Sequence, residues 1–155
     1  REVQPADLPF FFEHQRDLVA VRMAAFTAAD PDDRAAFDAH WARILANESN
    51  LNRTIVLDGQ VVGSVSSYVM EGDTEVTYWI GRDYWGRGIA TAALREFLKV
   101  QTTRPVYARA AKDNTGSLRV LAASGFVIIG EDRGYANGRG EAIEEYVLVM
   151  EDDNE

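Results

Sequence analysis

Between Tyr78 and Leu98 the chain reads YWIGRDYWGRGIATAALREFL, with Gly81, Gly86 and Gly88 lying between an apolar run and an amphipathic one. Glycines where a strand passes into a helix serve either a tight turn or the presentation of bare backbone N–H groups to an anion. The second use has a physical basis. A helix begins with four N–H groups that lack intrahelical partners, and its dipole adds partial positive charge at that end. Gly86 and Gly88 permit dihedrals closed to other residues and leave space for an anion, and the Arg87 guanidinium offers a fork to its oxygens. Two well-known phosphate motifs do not fit. A P-loop needs Lys and then Ser or Thr after its second glycine, where this chain has Arg87 and Gly88. The dinucleotide fingerprint needs a third glycine where Thr91 stands, and a place on the first strand.

Other chemistry-bearing side chains are sparse. The chain has no cysteine, so disulfides, thiolate nucleophiles and Cys-based metal sites are excluded. Its two histidines, His14 and His40, are too few and too far apart for a zinc motif, and no metal is expected. The 155 residues suit one domain, and no apolar stretch reaches the ~18 residues of a membrane span. A net charge of −9 repels nucleic-acid phosphates. It accords with a cationic partner such as an amine, and equally with solubility alone in a cytoplasmic protein.

These residues need elements to position them. "REV" reads as a first strand and residues 7–26 as one helix, with Asp7 as cap and Pro9 in its first turn. Phe10, Phe11 and Phe12 cannot share one helix face, which leaves one of them to line a groove or meet a partner. A second helix follows, with Asp30 as cap and Pro31 at its first position; Phe37, His40, Trp41 and Ile44 recur on its apolar stripe. His40 there fits the margin of the core as well as it fits chemistry. Asp58-Gly59 marks a hairpin, and "TEVTYWI" continues as a third strand into the glycine segment. Beyond it come a helix with Ala90, Leu94, Phe97 and Leu98 inward and a short strand in "RPVYARAA". The next helix is capped by Asn114, has Leu118, Leu121 and Ala122 inward, and ends at Gly125. Two last strands, "FVIIGED" and "AIEEYVLVM", flank a loop "RGYANGRGE". The order β-α-α-β-β-β-α-β-α-β-β predicts a mixed α/β layer in one domain over 1–150, followed by an acidic tail over 151–155.

Two stretches carry a resemblance. "WGRGIA" places Gly88 and Ala90 at the last two positions of the acyl-CoA pyrophosphate loop, Gln/Arg-x-x-Gly-x-Gly/Ala, with Trp85 in place of the usual Gln or Arg. "KDNTGSLRVLAASGF" is similar to an Asn-x-x-Ser/Ala helix ending in Gly-Phe. On these the chain resembles the GNAT superfamily of N-acetyltransferases, most of all the branch with ribosomal-protein alanine N-acetyltransferases. The likeness covers most of the chain and is weakest ahead of the hairpin. It implies a central, mostly antiparallel twisted sheet of about six to seven strands with splayed central strands, flanked by about four helices.

The resemblance also implies a reaction: acetyl transfer from acetyl-CoA to a primary amine, on a peptide N-terminus or a small molecule, directly in a ternary complex. Backbone of Trp79, Ile80 and Gly81 would hold the pantetheine, with an amide near Trp79 polarising the thioester. Trp85, Gly86, Arg87, Gly88, Ile89, Ala90 and Thr91 would take the pyrophosphate, and Asn114 the cofactor arm. Glu75 would be the base, through water, where a solvated strand-end glutamate is the plain alternative. Leu121 stands where many relatives carry a tyrosine acid. Ser117, solvent or no acid would then serve a thiolate whose pKa is near ~8.5. Phe11, His14, His40, Tyr68 and Tyr135, with Asn137, are candidate acceptor contacts. A monomer or homodimer without nucleic-acid or membrane partners is expected. Two other readings stay open: a catalytically silent CoA-binding sensor or assembly module, and a nucleotide-binding regulatory domain.

Overall fold

Asp17 divides what apolar periodicity predicts as one helix. The computed structural model, which describes residues 1–151, has α1 (Leu8–Arg16) ending there and α2 (Leu18–Ala24) beginning there. The Asp17 carboxylate accepts from the Val19 and Ala20 N–H groups, and its extended backbone breaks the helical path. Of the three phenylalanines, Phe11 and Phe12 are buried and Phe10 faces outward. α3 (Arg34–Ala46) starts later than expected, capped by Asp33; Asp30 accepts from Asp32 N–H in the turn before it. Phe37 and Trp41 are buried on its inner face, whereas His40 is exposed at the edge.

The hairpin at Asp58-Gly59 forms with both turn residues at positive φ and joins β1 (Leu51–Leu57) to β2 (Gln60–Met70). Glu71-Gly72 repeats that geometry into β3 (Asp73–Ile80). The chain continues as α4 (Ile89–Val100), β4 (Val106–Ala111), α5 (Thr115–Ala123), β5 (Val127–Ala136) and β6 (Glu141–Met150). One six-stranded sheet runs β1-β2-β3-β4-β6-β5, antiparallel except for the β3–β4 pair. Val65, Val76, Leu94, Phe97, Val106, Leu121, Phe126 and Leu148 form the main core between the sheet and the helices α4 and α5. A second cluster, Phe11, Phe12, Phe37 and Trp41, holds α1 to α3 and packs against Val61 of β2.

Three further expectations are corrected. "REV" forms only a single bridge, Glu2 to Arg53, because the segment is pinned by side chains rather than by a ladder. Most of the loop "RGYANGRGE" is strand: β5 pairs with β6 through Ala136↔Glu141, and the turn shrinks to residues 137–140. Ala122 is exposed, one ~100° step off the face that buries Leu121. Of the acidic tail expected over 151–155, all but Glu151 lies outside the described residues.

Asp7 does not cap α1. Its carboxylate, 2% exposed, accepts from the Arg1 guanidinium at 2.8 and 2.9 Å, from Gln4 N–H at 2.8 Å and from the buried Thr54 hydroxyl at 2.7 Å. The Arg1 hydrogen bonds, above all, lower its pKa from 3.8 to about 2. The stability this contributes is therefore present above pH 3.8 and lost as pH falls through about 2. We expect Asp7→Ala to cost about 2–4 kcal/mol, since it also strands the Thr54 hydroxyl, read as a lower urea midpoint at pH 7. The wild-type advantage should shrink as pH falls from 3.8 through about 2.

Candidate active site

β3 and β4 are paired for two residues, Thr74↔Val106 and Glu75↔Tyr107, and then part. On its other side β3 stays in unbroken register with β2 through Ile80↔Gly63, and the Gly81 N–H donates to the Val62 carbonyl at 2.8 Å. Antiparallel ladders alternate. Counting back from Gly81, residues 79, 77 and 75 face β2, which turns the backbone groups of Val76, Tyr78 and Ile80 toward the gap. The Ile80 carbonyl is met there by the Trp85 indole N–H at 2.9 Å.

The gap opens into a cavity of about 530 Å³. Trp79, Ile80, Trp85, Gly86, Gly88, Ile89, Ala90, Thr91, Asn114 and Ser117 line it, joined by Ala20, Met23 and Ala24 of α2. At its rim α4 begins without a side-chain cap: the cap position is Gly88, φ 74°. The helices α2, α3 and α5 are each capped by a carboxylate or amide oxygen. Gly86 is also at positive φ, 76°, and a β-carbon at either glycine would meet no protein atom within 4 Å. The helix start thus faces open space with its amides bare.

Two residues expected in this group lie outside the lining. Arg87 is exposed, its guanidinium 5.6 Å from the centre of the Tyr84 ring. Gly81 is buried with its N–H committed to β2; a β-carbon there would come within 2.8 Å of His14 Nε2. Its role is to let the His14 ring approach the strand end. Asn114 has both ends engaged, accepting from Ser117 N–H at 3.1 Å and donating to the Met23 carbonyl at 3.3 Å. It caps α5 and ties α2 to it.

Ser117 has a partner that the sequence reading does not foresee. Its hydroxyl lies 2.6 Å from the Tyr78 phenol, inside the cavity wall. Burial raises the Tyr78 pKa, with the Ser117 contact opposing. A tyrosine from β3 thus lines the cavity, whereas Leu121 is buried in the main core and does not. The alternation Val76, Tyr78, Ile80 was the only local sign of it, since the partner is 39 residues away.

Glu75 stands at the vertex where the strands part, 4% exposed. Its Oε1 is 3.3 Å from Arg109 Nε, and Arg109 also binds Asp132 and Glu145, each at 2.9 Å. Burial raises the Glu75 pKa; Arg109 opposes this, and Glu145 and Asp73 add to it. Glu75 is a lining residue of neither cavity described here. Phe11, His14 and His40 come together with Trp79 around a second cavity of about 140 Å³. Tyr68 is half-buried beside Glu75, and Tyr135 is 65% exposed on β5; neither lines a cavity.

Residues 1–127 match the acetyltransferase (GNAT) domain family. The chain belongs to that family. YdaF of Bacillus subtilis, provisionally named a ribosomal N-acetyltransferase, is 29% identical over 119 residues, 70% of this chain and 64% of its own length. The uncharacterized N-acetyltransferase p20 of Bacillus licheniformis is 26% identical over 116 residues, 68% of this chain and 65% of its own. The chain thus spans just under two thirds of both relatives. The structure of Mycobacterium smegmatis RimJ in complex with CoA-disulfide superposes with a TM-score of 0.80 at 23% identity, covering 97% of this chain and 80% of RimJ. That likeness is one of fold. Among the described residues no helix is long and apolar enough to cross a membrane, and no group of His, Asp and Glu is placed to hold a metal.

Proposed function

We propose that the chain is an acetyl-CoA-dependent N-acetyltransferase for a primary amine, acting by direct transfer in a ternary complex. The observation that carries this reading is the combination of open β3 backbone from Val76 to Ile80 with the bare N-terminus of α4 at one cavity. A thioester carrier has the matching parts: an amide-bearing arm that can add to a strand edge, and a pyrophosphate for helix amides. When bound, it would supply an acyl group activated as a thioester.

The chain's own groups then divide the work. The amides after Gly86 and Gly88 hold the anion, and the backbone of Tyr78 and Ile80 orients the arm. Trp79 packs beside it; its own backbone faces β2, so the polarising amide is assigned to Tyr78 or Ile80. Proton removal from the substrate ammonium is assigned to Glu75 through solvent at the vertex, where burial makes the carboxylate a better proton acceptor. His14, which lines the neighbouring cavity and is kept uncharged by burial, is the second candidate. The Tyr78–Ser117 pair is placed to return a proton to the departing sulfur.

The first test is Gly88→Val. We expect CoA affinity by calorimetry to weaken at least about tenfold, a loss of ~1.4 kcal/mol or more. Stability should drop only by the ~1–2 kcal/mol of a side chain at positive φ. Unchanged affinity would remove the helix start from the site.

The base is tested by comparing Glu75→Gln with His14→Gln. A roughly hundredfold fall in kcat with intact CoA affinity, together with loss of an acid limb lying above pH 4.5, identifies the base among the two. If neither variant shows it, both are excluded. Tyr78→Phe should lower kcat about tenfold and leave CoA affinity unchanged.

A further inference from the structure

The chain carries a net charge of −9, yet among the described residues no Asp or Glu lines the larger cavity. The one formally charged side chain on its wall is Arg119 of α5, exposed where the cavity meets solvent. Two helices also begin at this space. The bare start of α4 lies at Gly88, and Asn114, Gly116 and Ser117 bring the first turn of α5. Each helix start adds partial positive charge, so the dipoles and the guanidinium act with one sign. A cleft of one sign between apolar walls, here Ala20, Ala24 and Val120, focuses its field on the space inside. Within an acidic protein, this cavity is made for an anion.

Arg119 is also uncommitted. Among the described residues its guanidinium has no hydrogen bond, ion pair or aromatic face, whereas Arg82, Arg109 and Arg139 are each paired with a carboxylate. The guanidinium that the glycine turn itself supplies, Arg87, lies outside the lining and over the Tyr84 ring. The fork expected beside the glycines is therefore offered from α5 instead. Phosphate suits both kinds of donor. Helix amides reach its oxygens with no side chain between, and a guanidinium can give two parallel N–H bonds to one phosphoryl group.

We propose that Arg119 is a second anion contact of this cavity, its guanidinium fork holding a phosphoryl group of the thioester carrier. It adds one side-chain contact to the main-chain amides at α4, from a helix that the glycine turn does not reach. This assignment rests on the cofactor reading above. The phosphoryl group belongs either to the diphosphate or to the separate phosphate on the carrier's ribose. The chemistry is the same, and two ligands separate the sources.

Calorimetry is run with CoA and with dephospho-CoA, which lacks the ribose phosphate. The proteins are the wild type, Arg119→Gln, Arg119→Lys and Arg133→Gln, the last removing the same charge from exposed β5. CoA affinity should fall about tenfold in Arg119→Gln and less in Arg119→Lys, which keeps the charge without the fork. It should stay within about twofold of wild type in Arg133→Gln, where only the net charge changes. The Arg119→Gln deficit should also shrink at high ionic strength, as a change of shape alone would not. An equal deficit with dephospho-CoA assigns the fork to the diphosphate; a deficit seen with CoA only assigns it to the ribose phosphate. CoA affinity that is unchanged in Arg119→Gln, falls equally in Arg133→Gln, or falls by a factor indifferent to salt overturns the assignment. The two readings fail separately. A wild type that binds CoA no better than Arg119→Gln does sinks the role of Arg119 alone, whereas a wild type that binds no CoA sinks the cofactor reading itself.

Discussion

β3 and β4 share a ladder only at Thr74–Val106 and Glu75–Tyr107, and the proposed site is arranged around the place where it stops. Backbone N–H and C=O groups shielded from water without partners are costly, and a sheet interior normally leaves none. Both strands are fully committed on their far sides, β3 to β2 through Ile80 and β4 to β6 through Ala111. The parting is thus a local opening in a sheet that is otherwise closed. Each flanking ladder fixes its strand, and the Glu75–Arg109 ion pair bridges the two at the vertex of the gap. A guest with alternating amide donors and acceptors can complete the opening at little conformational cost to the protein.

The walls of the opening come from distant parts of the chain and are tied to one another. Asn114 caps α5 and donates to the Met23 carbonyl, so α2 and α5 move as one. The β5–β6 turn grips the segment after α2: Gly138 N–H donates to Ala25, Asn137 to Thr27 and Arg139 to Arg22, each at a backbone carbonyl. Gly138 has no room for a side chain, since a β-carbon would sit 2.3 Å from the Val21 carbonyl oxygen. These ties place Thr27 beside Trp79, and so join the two cavities. Tyr135 alternates outward on β5, whereas its neighbour Ala136 is buried.

What was legible in the sequence was local. The Asp58-Gly59 hairpin, the Asn114 cap and the glycine-led start of α4 each depend on a few consecutive residues, and each is where those residues put it. The break at Asp17 was harder to see, because the apolar stripe runs on past it and only the carboxylate's capture of two N–H groups decides the outcome. The glycines and asparagine of 133–141 suggested a loop, yet cross-strand pairing carried β5 through Gly134 to Ala136. Of the candidate cofactor residues in 79–91, all but Gly81 and Arg87 line one cavity, because a helix start and a strand end are sequence-adjacent. The Tyr78–Ser117 contact and the orientation of backbone toward the gap were not legible, since both follow from which strand lies on which side.

That difference has a consequence for what the family resemblance can carry. The proposed carrier side is built from main-chain groups: bare amides at α4 and the open edge of β3. Such main-chain contacts survive almost any side-chain change that respects the glycines. The acceptor side has no such protection. The candidate acceptor contacts that come together, Phe11, His14 and His40 with Trp79, are side chains, so the shape they make changes with every substitution. The family match over residues 1–127 does not name the amine. On the proposed reading the choice of amine is left to side chains, and neither the glycine turn nor the fold around it carries that information.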